Sequence, residues 1–444
     1  MKKGIKIVAI GGGSSYTPDL VEGLINHYDD FPTKELWLVD IQEGKEKLEI
    51  IGSFAKRMIK KANLPIKLYL TLDRSEALKG ADFVISQFRV GQLDARVLDE
   101  RIPGNHRMLG QETTGAAGLF KALRTVPIVF EIIKDMRKFC DNAWLINFTN
   151  PTGIISEAVF RHCDFSKYIG VCNVPKNMTS DFAQILDAKP KDLIPYFGGL
   201  NHLSYVFNVY YRHKENIREI ISKMQDDQSK TARILKIPGN QDFIEQLGVI
   251  PNPYLKYYYN YQEMYEAYYE QFKNNNTRAE QVKNVDKVLF EKYKDESCDT
   301  IPEELNQRGG AKYSDVACDI INSIYNDKKE YHVVNTINNG YITDLPEGCA
   351  IEITSRITQH GPIPVFIGTL PETIKGLLQS MKNYEQLLVD AIYEKDLKKA
   401  KLALQIHPLT LSIDNADKCF DELLNAHKHY IRKYYEVNHE IKLL

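Results

Sequence analysis

Three groups of residues have types and spacing suited to chemistry. The first is Gly11-Gly12-Gly13-Ser14-Ser15-Tyr16, which follows the apolar run Ile5–Ile10 and precedes a helical pattern from Thr17. A glycine turn between strand and helix lets a pyrophosphate approach backbone N–H groups at the positive helix end. Asp40 ends the next strand-like run, Glu35–Asp40, somewhat beyond the usual separation of about 20 residues. Its carboxylate suits the hydroxyls of a ribose, which favours NAD over a 2′-phosphorylated cofactor. Gly11, Gly12, Gly13, Ser14, Ser15 and Asp40 are therefore expected to bind NAD. Glycine triplets alone often make only tight turns, but here strand, turn, helix and acidic strand end follow in order. Tyr16 stands where the G-x-G-x-x-G/A fingerprint has its third glycine.

The second group is Asn147-Phe148-Thr149-Asn150-Pro151, Cys172-Asn173-Val174-Pro175 and Asn201-His202. Each segment adjoins an end of an expected strand, and open α/β sheets bind ligands outside the carboxyl ends of their strands. Singly, each residue has a plainer reading. Asn150 would cap a helix with Pro151 at its first position, and Asn173 would cap the next. Cys172 would be a buried small residue and His202 a satisfied core histidine. Together, a thiolate and an imidazole at one edge of a cofactor-binding sheet suggest a two-ligand metal site, open to substrate and water and suited to a Lewis-acid role. The third group is the aromatic run Ile250–Tyr259 (IPNPYLKYYY). Such clusters usually pack, yet a tyrosine among them could serve as a general base.

The elements around these residues read as α/β. Strand-like runs at Ile5–Ile10, Glu35–Asp40, Ile66–Leu70, Phe83–Gln87, Ala143–Asn147 and Tyr168–Cys172 alternate with helical patterns at Thr17–His27, Lys45–Lys61, Leu123–Phe139 and Thr152–Arg161. That alternation means βαβ units and a parallel sheet. After about residue 197 the pattern changes. Leu203–Tyr211, Val333–Gly340 and Ala350–Ile357 read as strands, with helices over Gln262–Tyr293, Pro371–Lys401 and Asp414–Tyr435. The expectation is a Rossmann-type domain over 1–197 and an α+β substrate and metal domain over 198–444.

Composition bounds the class. At 444 residues, two joined domains are the natural expectation. A formal net charge of −2 shows no nucleic-acid or polybasic membrane footprint. No apolar run is long enough to span a bilayer, and the N-terminus lacks a signal-peptide pattern. Seven scattered cysteines point to a reducing compartment, so a cytoplasmic enzyme is expected.

At this point the chain resembles the NAD- and metal-dependent family 4 glycoside hydrolases, and within them the 6-phospho-β-glucosidases. The matching stretches are IVAIGGGSSYTPDLVEGL (7–24), QFRVGQLDARVLDERIP (87–103), LGQETTG (109–115), NFTNPTG (147–153), GVCNVP (170–175), GLNHLSY (199–205), IPNPYLKYY (250–258), RGGAKYSD (308–315) and VNTINNGYITDLP (334–346). The resemblance implies a lactate/malate dehydrogenase-like architecture and a glycosidase outside the two-carboxylate scheme. The sugar is oxidised at C3, the acidified C2 proton is removed, the aglycone leaves C1, water adds and the ketone is reduced again. The implied cofactors are NAD and a divalent metal, manganese. Cys172 and His202 match the metal ligands. Tyr254 matches the base, with Tyr257 and Tyr258 as alternatives, and Glu112 a carboxylate that raises its basicity. Arg96, Asn150 and Arg278 match substrate contacts. The α-specific members carry an aspartate after the cysteine. Asn173 stands there instead, which points to β-linked substrates such as cellobiose 6-phosphate and leaves the acid for the aglycone unassigned. A homodimer or homotetramer is also implied. The alternative is an NAD-dependent 2-hydroxy-acid dehydrogenase, which would form NADH and need a histidine–carboxylate pair. An NAD-binding regulator ranks lower, because every matched position is present.

Overall fold

The computed structural model describes residues 4–226, 237–308 and 313–435, so 309–312 of the 308–315 stretch lie outside the described residues. The apolar run at the N-terminus forms β1 (Ile5–Ile10), followed by α1 (Thr17–Asn26), β2 (Thr33–Val39), α2 (Lys45–Lys61), β3 (Lys67–Thr71) and β4 (Phe83–Ser86). Next come α3 (Gln92–Asn105), α4 (Gly115–Phe139), β5 (Trp144–Asn147), α5 (Thr152–His162), β6 (Tyr168–Gly170) and α6 (Val174–Ile185). The six strands are parallel in the order β3-β2-β1-β4-β5-β6. This doubly wound order reverses direction between β1 and β4, where such sheets open a crevice for ligands. Their short, nearly unbroken apolar runs reflect burial on both faces, as in β4 and β5, which are buried throughout.

The second half builds a hairpin, β7 (Ile194–Leu200) and β8 (Leu203–Tyr211), then α7 (Tyr261–Lys273), α8 (Arg278–Lys294) and α9 (Tyr313–Tyr325). The chain then returns to the first sheet. Strands β9 (Tyr331–Ile337), β10 (Ala350–Thr358) and β11 (Gly361–Pro364) add antiparallel to its edge, with Asn335 opposite Gly170. Helices α10 (Glu372–Glu394), α11 (Leu397–Gln405) and α12 (Ile413–Ala426) follow. The resulting sheet has nine strands drawn from both halves. The expected division at 197/198 falls inside β7, and the sheet runs on across it.

Several expected elements differ in extent, among them the helix expected over Pro371–Lys401, which is α10 and α11. Helix α4 begins at Gly115 rather than Leu123, because Gly115–Pro127 are all buried and show no amphipathic period. The single helix expected over Gln262–Tyr293 is two, broken before Thr277. There Thr277 and Glu280 form a reciprocal capping box that starts α8.

Buried polar contacts tie the halves together. Lys382 on α10 reaches Glu157 on α5 (2.7 Å) and Glu385 (2.6 Å), while Glu157 also accepts from Ala350 N (2.8 Å). His407, beyond α11, grips the start of α4. Its Nε2 lies 3.0 Å from Thr114 Oγ1 and 3.3 Å from Gly115 N, and its Nδ1 accepts from Leu409 N at 3.0 Å. Burial lowers the His407 pKa from the usual 6.5 to about 3. Two backbone N–H groups aimed at the ring nitrogens act in the same sense, since an imidazolium would meet donor with donor. The unfolded chain therefore takes up a proton below pH 6.5 that the folded chain refuses until about pH 3. Stability is lost across that window as pH falls, by about 1.4 kcal/mol per pH unit. Urea unfolding at pH 7 and pH 5 is expected to show the wild type losing about 2 kcal/mol more than His407→Gln. Equal losses would assign the acid sensitivity elsewhere.

Candidate active site

The glycine turn sits at the carboxyl end of β1, on the crevice. Gly11 (φ +90°) passes Phe88 so closely that an added Cβ would lie 2.9 Å from its backbone, and at Gly12 a Cβ would lie 2.7 Å from Leu38 Cβ. Tyr16, at the fingerprint's third-glycine position, lines the cleft. Thr17 Oγ1 ties the turn to α1 by donating to Gly12 O at 2.9 Å. Asp40 accepts from Gly13 N (2.7 Å) and Ile41 N (2.9 Å), so its carboxylate closes the turn while each oxygen keeps a further lone pair. Ser14 is partly exposed. Ser15 is not: its side chain is buried and its hydroxyl donates to Asp286 at 2.6 Å. Its hydroxyl is thus engaged within the protein. The turn's position at the topological switch fits a dinucleotide.

A cleft of about 530 Å³ runs from Tyr16 across this edge. It is lined by every residue expected for catalysis, metal or substrate: Arg96, Glu112, Asn150, Cys172, Asn173, His202, Tyr254 and Arg278. Helix α5 starts after Pro151, yet Asn150 Oδ1 still accepts from Thr152 N, its first helical residue, at 3.3 Å, so the capping expected of Asn150 is partly met. Asn173 is the N-cap of α6, but its side chain makes no capping hydrogen bond.

Cys172 follows β6, and His202 occupies the tip of the β7–β8 hairpin, whose two-residue turn lies between the paired Leu200 and Leu203. His202 is held at φ +65°, a left-handed conformation costly for a non-glycine residue and typical of functional sites. Its Nε2 lies 3.6 Å from Cys172 Sγ, and its Nδ1 lies 3.1 Å from Thr113 Oγ1. Burial, helped by the nearby Glu352 charge, pushes the Cys172 thiol up to about 12, and burial lowers His202 to about 4. Among the described residues no group of three or more His, Cys, Asp or Glu side chains is placed to hold a metal. A soft sulfur and one imidazole nitrogen facing the cleft fit a divalent cation that takes its other ligands from water or substrate.

Tyr254 stands on a 3-10 turn, Pro253–Leu255, capped by Asn252 Oδ1 accepting from Tyr254 N at 2.9 Å. Its ring stacks on His202 with centroids 3.8 Å apart and planes 4° apart. Burial raises its pKa, with the Cys172, Tyr257 and Glu112 charges acting in the same sense and Arg96 opposing. Of the alternatives, Tyr257 also lines the cleft, whereas the Tyr258 hydroxyl is taken by Thr114 at 2.7 Å. Glu112 lies between three cations. Lys121 Nζ (2.7 Å) and Arg89 Nη2 (3.1 Å) reach one oxygen and Arg96 Nε the other. Burial opposes the charge, but the three cations hold the Glu112 carboxyl well below the usual range. Arg96 also binds Glu100 at 2.7 Å. Arg278 is at the rim, where Nη2 holds Gln307 O (2.9 Å) and Arg308 O (3.0 Å). Arg308 then lies over the Tyr16 ring at 4.3 Å and also lines the cleft.

Arg89, Thr113, Lys121, Arg308 and Glu352 belong to the site, yet sequence reasoning gave them no role. A signal existed for two of them. Glu352 sits between the apolar Ile351 and Ile353 of its strand and Lys121 in the buried part of a helix, and a charge at such positions needs partners.

The model of the family 4 glycosyl hydrolases matches residues 6–188, and that of the family's C-terminal domain matches 197–410. The chain is 47% identical over 439 residues to a probable 6-phospho-beta-glucosidase of Bacillus subtilis (98% of this chain, 99% of that one). It is 43% identical over 448 residues to the 6-phospho-beta-glucosidase of Escherichia coli (100% and 99%). The 6-phospho-beta glucosidase of Thermotoga maritima, solved with manganese, NAD+ and glucose-6-phosphate, superposes with a TM-score of 0.88 at 34% identity, covering 96% of this chain and 99% of that chain. A malate dehydrogenase of Cryptosporidium parvum, with a TM-score of 0.51 at 17% identity over 89% of this chain and 100% of that chain, shares the fold alone. The expected dehydrogenase-like architecture is thus found, and the chain belongs to the family 4 glycosyl hydrolases.

Proposed function

We propose that this chain is a 6-phospho-β-glucosidase, which hydrolyses phosphorylated β-glucosides such as cellobiose 6-phosphate with NAD and a divalent metal, manganese. The observation that carries the reading is the single cleft in which a sulfur–imidazole pair, a stacked tyrosine and a cluster of arginines meet beside a dinucleotide turn. The relatives' names and the ligands of the Thermotoga maritima structure support it. Bound NAD and metal would supply reversible oxidation of the sugar and stabilisation of negative charge on its oxygens.

The chain's own residues do the rest. Gly11, Gly12, Gly13, Ser14 and Asp40 hold the dinucleotide. Cys172 and His202 hold the metal. Tyr254 Oη takes the proton from C2 of the sugar, and its place against His202 sets that hydroxyl beside the metal ligands. Positive charge favours a phenolate, and Arg96 already acts in that sense, whereas the Glu112 anion strengthens the base by raising its pKa. Arg96, Asn150 and Arg278 contact the sugar, and an arginine fork suits phosphate oxygens. Asn173 cannot donate as a carboxylic acid, which agrees with β-linked substrates. The seven cysteines are all unpaired, which suits the cytoplasm, where phosphorylated sugars arise after uptake. Exposed Leu402, Ile406, Leu411 and Ile413 support a homodimer or homotetramer.

Three outcomes are expected. Release of p-nitrophenol from p-nitrophenyl β-glucoside 6-phosphate should require both NAD and manganese and leave no net NADH, and release without either, after stripping of bound cofactor, would exclude the redox-neutral route. Tyr254→Phe should keep NAD binding and lose at least about 100-fold in kcat, the scale of a lost general base. Turnover near the wild-type rate would move the role to Tyr257. Cys172→Ser should weaken manganese binding and activity together, and an unchanged affinity measured by titration would return Cys172 to packing.

A further inference from the structure

His202 can serve a cation only through a nitrogen that carries no proton, and a neutral imidazole offers one such nitrogen. Stacking on Tyr254 fixes the plane of the ring but not which nitrogen faces Cys172, because a half-turn of the ring leaves the stack intact. The loop before α4 decides it. Thr113 N, which can only donate, points at the side-chain amide of Gln111 at 2.8 Å, so the atom facing it is the oxygen Oε1. The Thr113 hydroxyl also donates to this oxygen at 2.8 Å. A hydroxyl has one proton, so toward His202 Nδ1, 3.1 Å away, Thr113 Oγ1 can only accept. His202 Nδ1 therefore carries the proton and Nε2 keeps the lone pair. Nε2 is the nitrogen 3.6 Å from Cys172 Sγ.

We infer that Thr113, oriented by Gln111, is a positioning residue that locks His202 in the Nδ1–H tautomer, so that Nε2 is presented with Cys172 to a divalent cation. The loop is stiff enough for the task. Thr114 is held by His407 and Tyr258, and Thr113 packs so tightly on Gly118 that an added Cβ there would lie 2.5 Å from the Thr113 carbonyl carbon. The inference rests on the reading of Cys172 and His202 as the metal pair. Outer partners of this kind typically change metal affinity by about 10–100-fold.

The test uses the full chain without substrate. In the metal-free protein, ¹⁵N–¹H correlation of the histidine side chains should show His202 protonated at Nδ1. In Thr113→Val, which keeps the shape but cannot accept, that signature should shift toward the other tautomer or a mixture, and in Thr113→Ser it should stay. Manganese affinity, read from the free-ion paramagnetic resonance signal, should fall about 10–100-fold in Thr113→Val and stay within about threefold in Thr113→Ser. NAD affinity and the unfolding midpoint serve as controls for folding. A proton on Nε2 in the wild type overturns the inference whatever the metal does. Unchanged manganese affinity in Thr113→Val, with affinity lost in Cys172→Ser, overturns it and leaves the metal pair standing. Unchanged affinity in Cys172→Ser overturns the metal pair itself, and with it the purpose assigned to Thr113.

Discussion

The site depends on one buried carboxylate finding enough hydrogen-bond donors. Glu352, 1% exposed on β10, has no cation against it among the described residues and takes its bonds from Asn201 Nδ2 (2.7 Å), Ser204 Oγ (2.7 Å) and Asn335 Nδ2 (3.4 Å). A carboxyl so placed is costly unless it is fully hydrogen-bonded, and burial raises its pKa. Satisfying it draws the β7–β8 hairpin onto the sheet and fixes the residues on either side of His202. Ser204 passes the constraint on, since its hydroxyl accepts from Asn252 Nδ2 at 3.2 Å, and Asn252 caps the turn that carries Tyr254. One polar network thus places a candidate metal ligand and a candidate base, and the stack between their rings follows from it. It also ties the late strands β9 and β10, which carry Asn335 and Glu352, to the hairpin tip.

A second buried anion organises the opposite wall of the cleft by charge. Arg89, Arg96 and Lys121 could not lie so close together in a buried site without Glu112 between them. Even with it, burial and the neighbouring Arg89 charge push Lys121 down to about 7. This wall gathers three cations around Glu112, and Arg308, paired with Asp286 at 2.6 Å, adds a guanidinium to the cleft, although the whole chain carries a formal charge of only −2. A phosphorylated ligand is met by local charge. Net charge excludes a nucleic-acid surface but is silent about such a pocket.

The sequence shows most of the parallel sheet because its strands are short apolar runs between helices of clear period. Expected β1 and α2 coincide with the observed Ile5–Ile10 and Lys45–Lys61. The pattern fails where burial is complete or context decides. The start of α4 is buried all round and carries no period, and α3 has polar and apolar residues without a clear stripe. The return of β9–β11 to the first sheet depends on contacts across about 160 residues, such as Asn335 with Gly170. In the site, residues marked by their chemistry are legible alone: glycines, a cysteine and a histidine near strand ends, and a tyrosine cluster. Those that act through another residue are not. Thr113 is an ordinary threonine until Gln111 fixes its proton and His202 lies beside it. Nor is it legible that Asp286, far along the chain, takes the Ser15 hydroxyl.

The same physics accounts for both what the site stabilises and what it leaves open. Every buried polar group at the hairpin tip except the Cys172–His202 edge has its hydrogen bonds supplied by the protein. Asn201, Ser204 and Asn252 are bonded among themselves and to Glu352, and the outer nitrogen of His202 is bonded to Thr113. The thiol and the inner imidazole nitrogen face each other at 3.6 Å. Burial keeps both neutral, so the pair gains little from its own contact and stands ready for a ligand that bonds both. A positively charged ligand is the kind that answers this need. It would meet sulfur and nitrogen at once, with the Glu352 carboxylate behind them favouring positive charge, and it would leave its remaining positions toward the cleft that the arginines line.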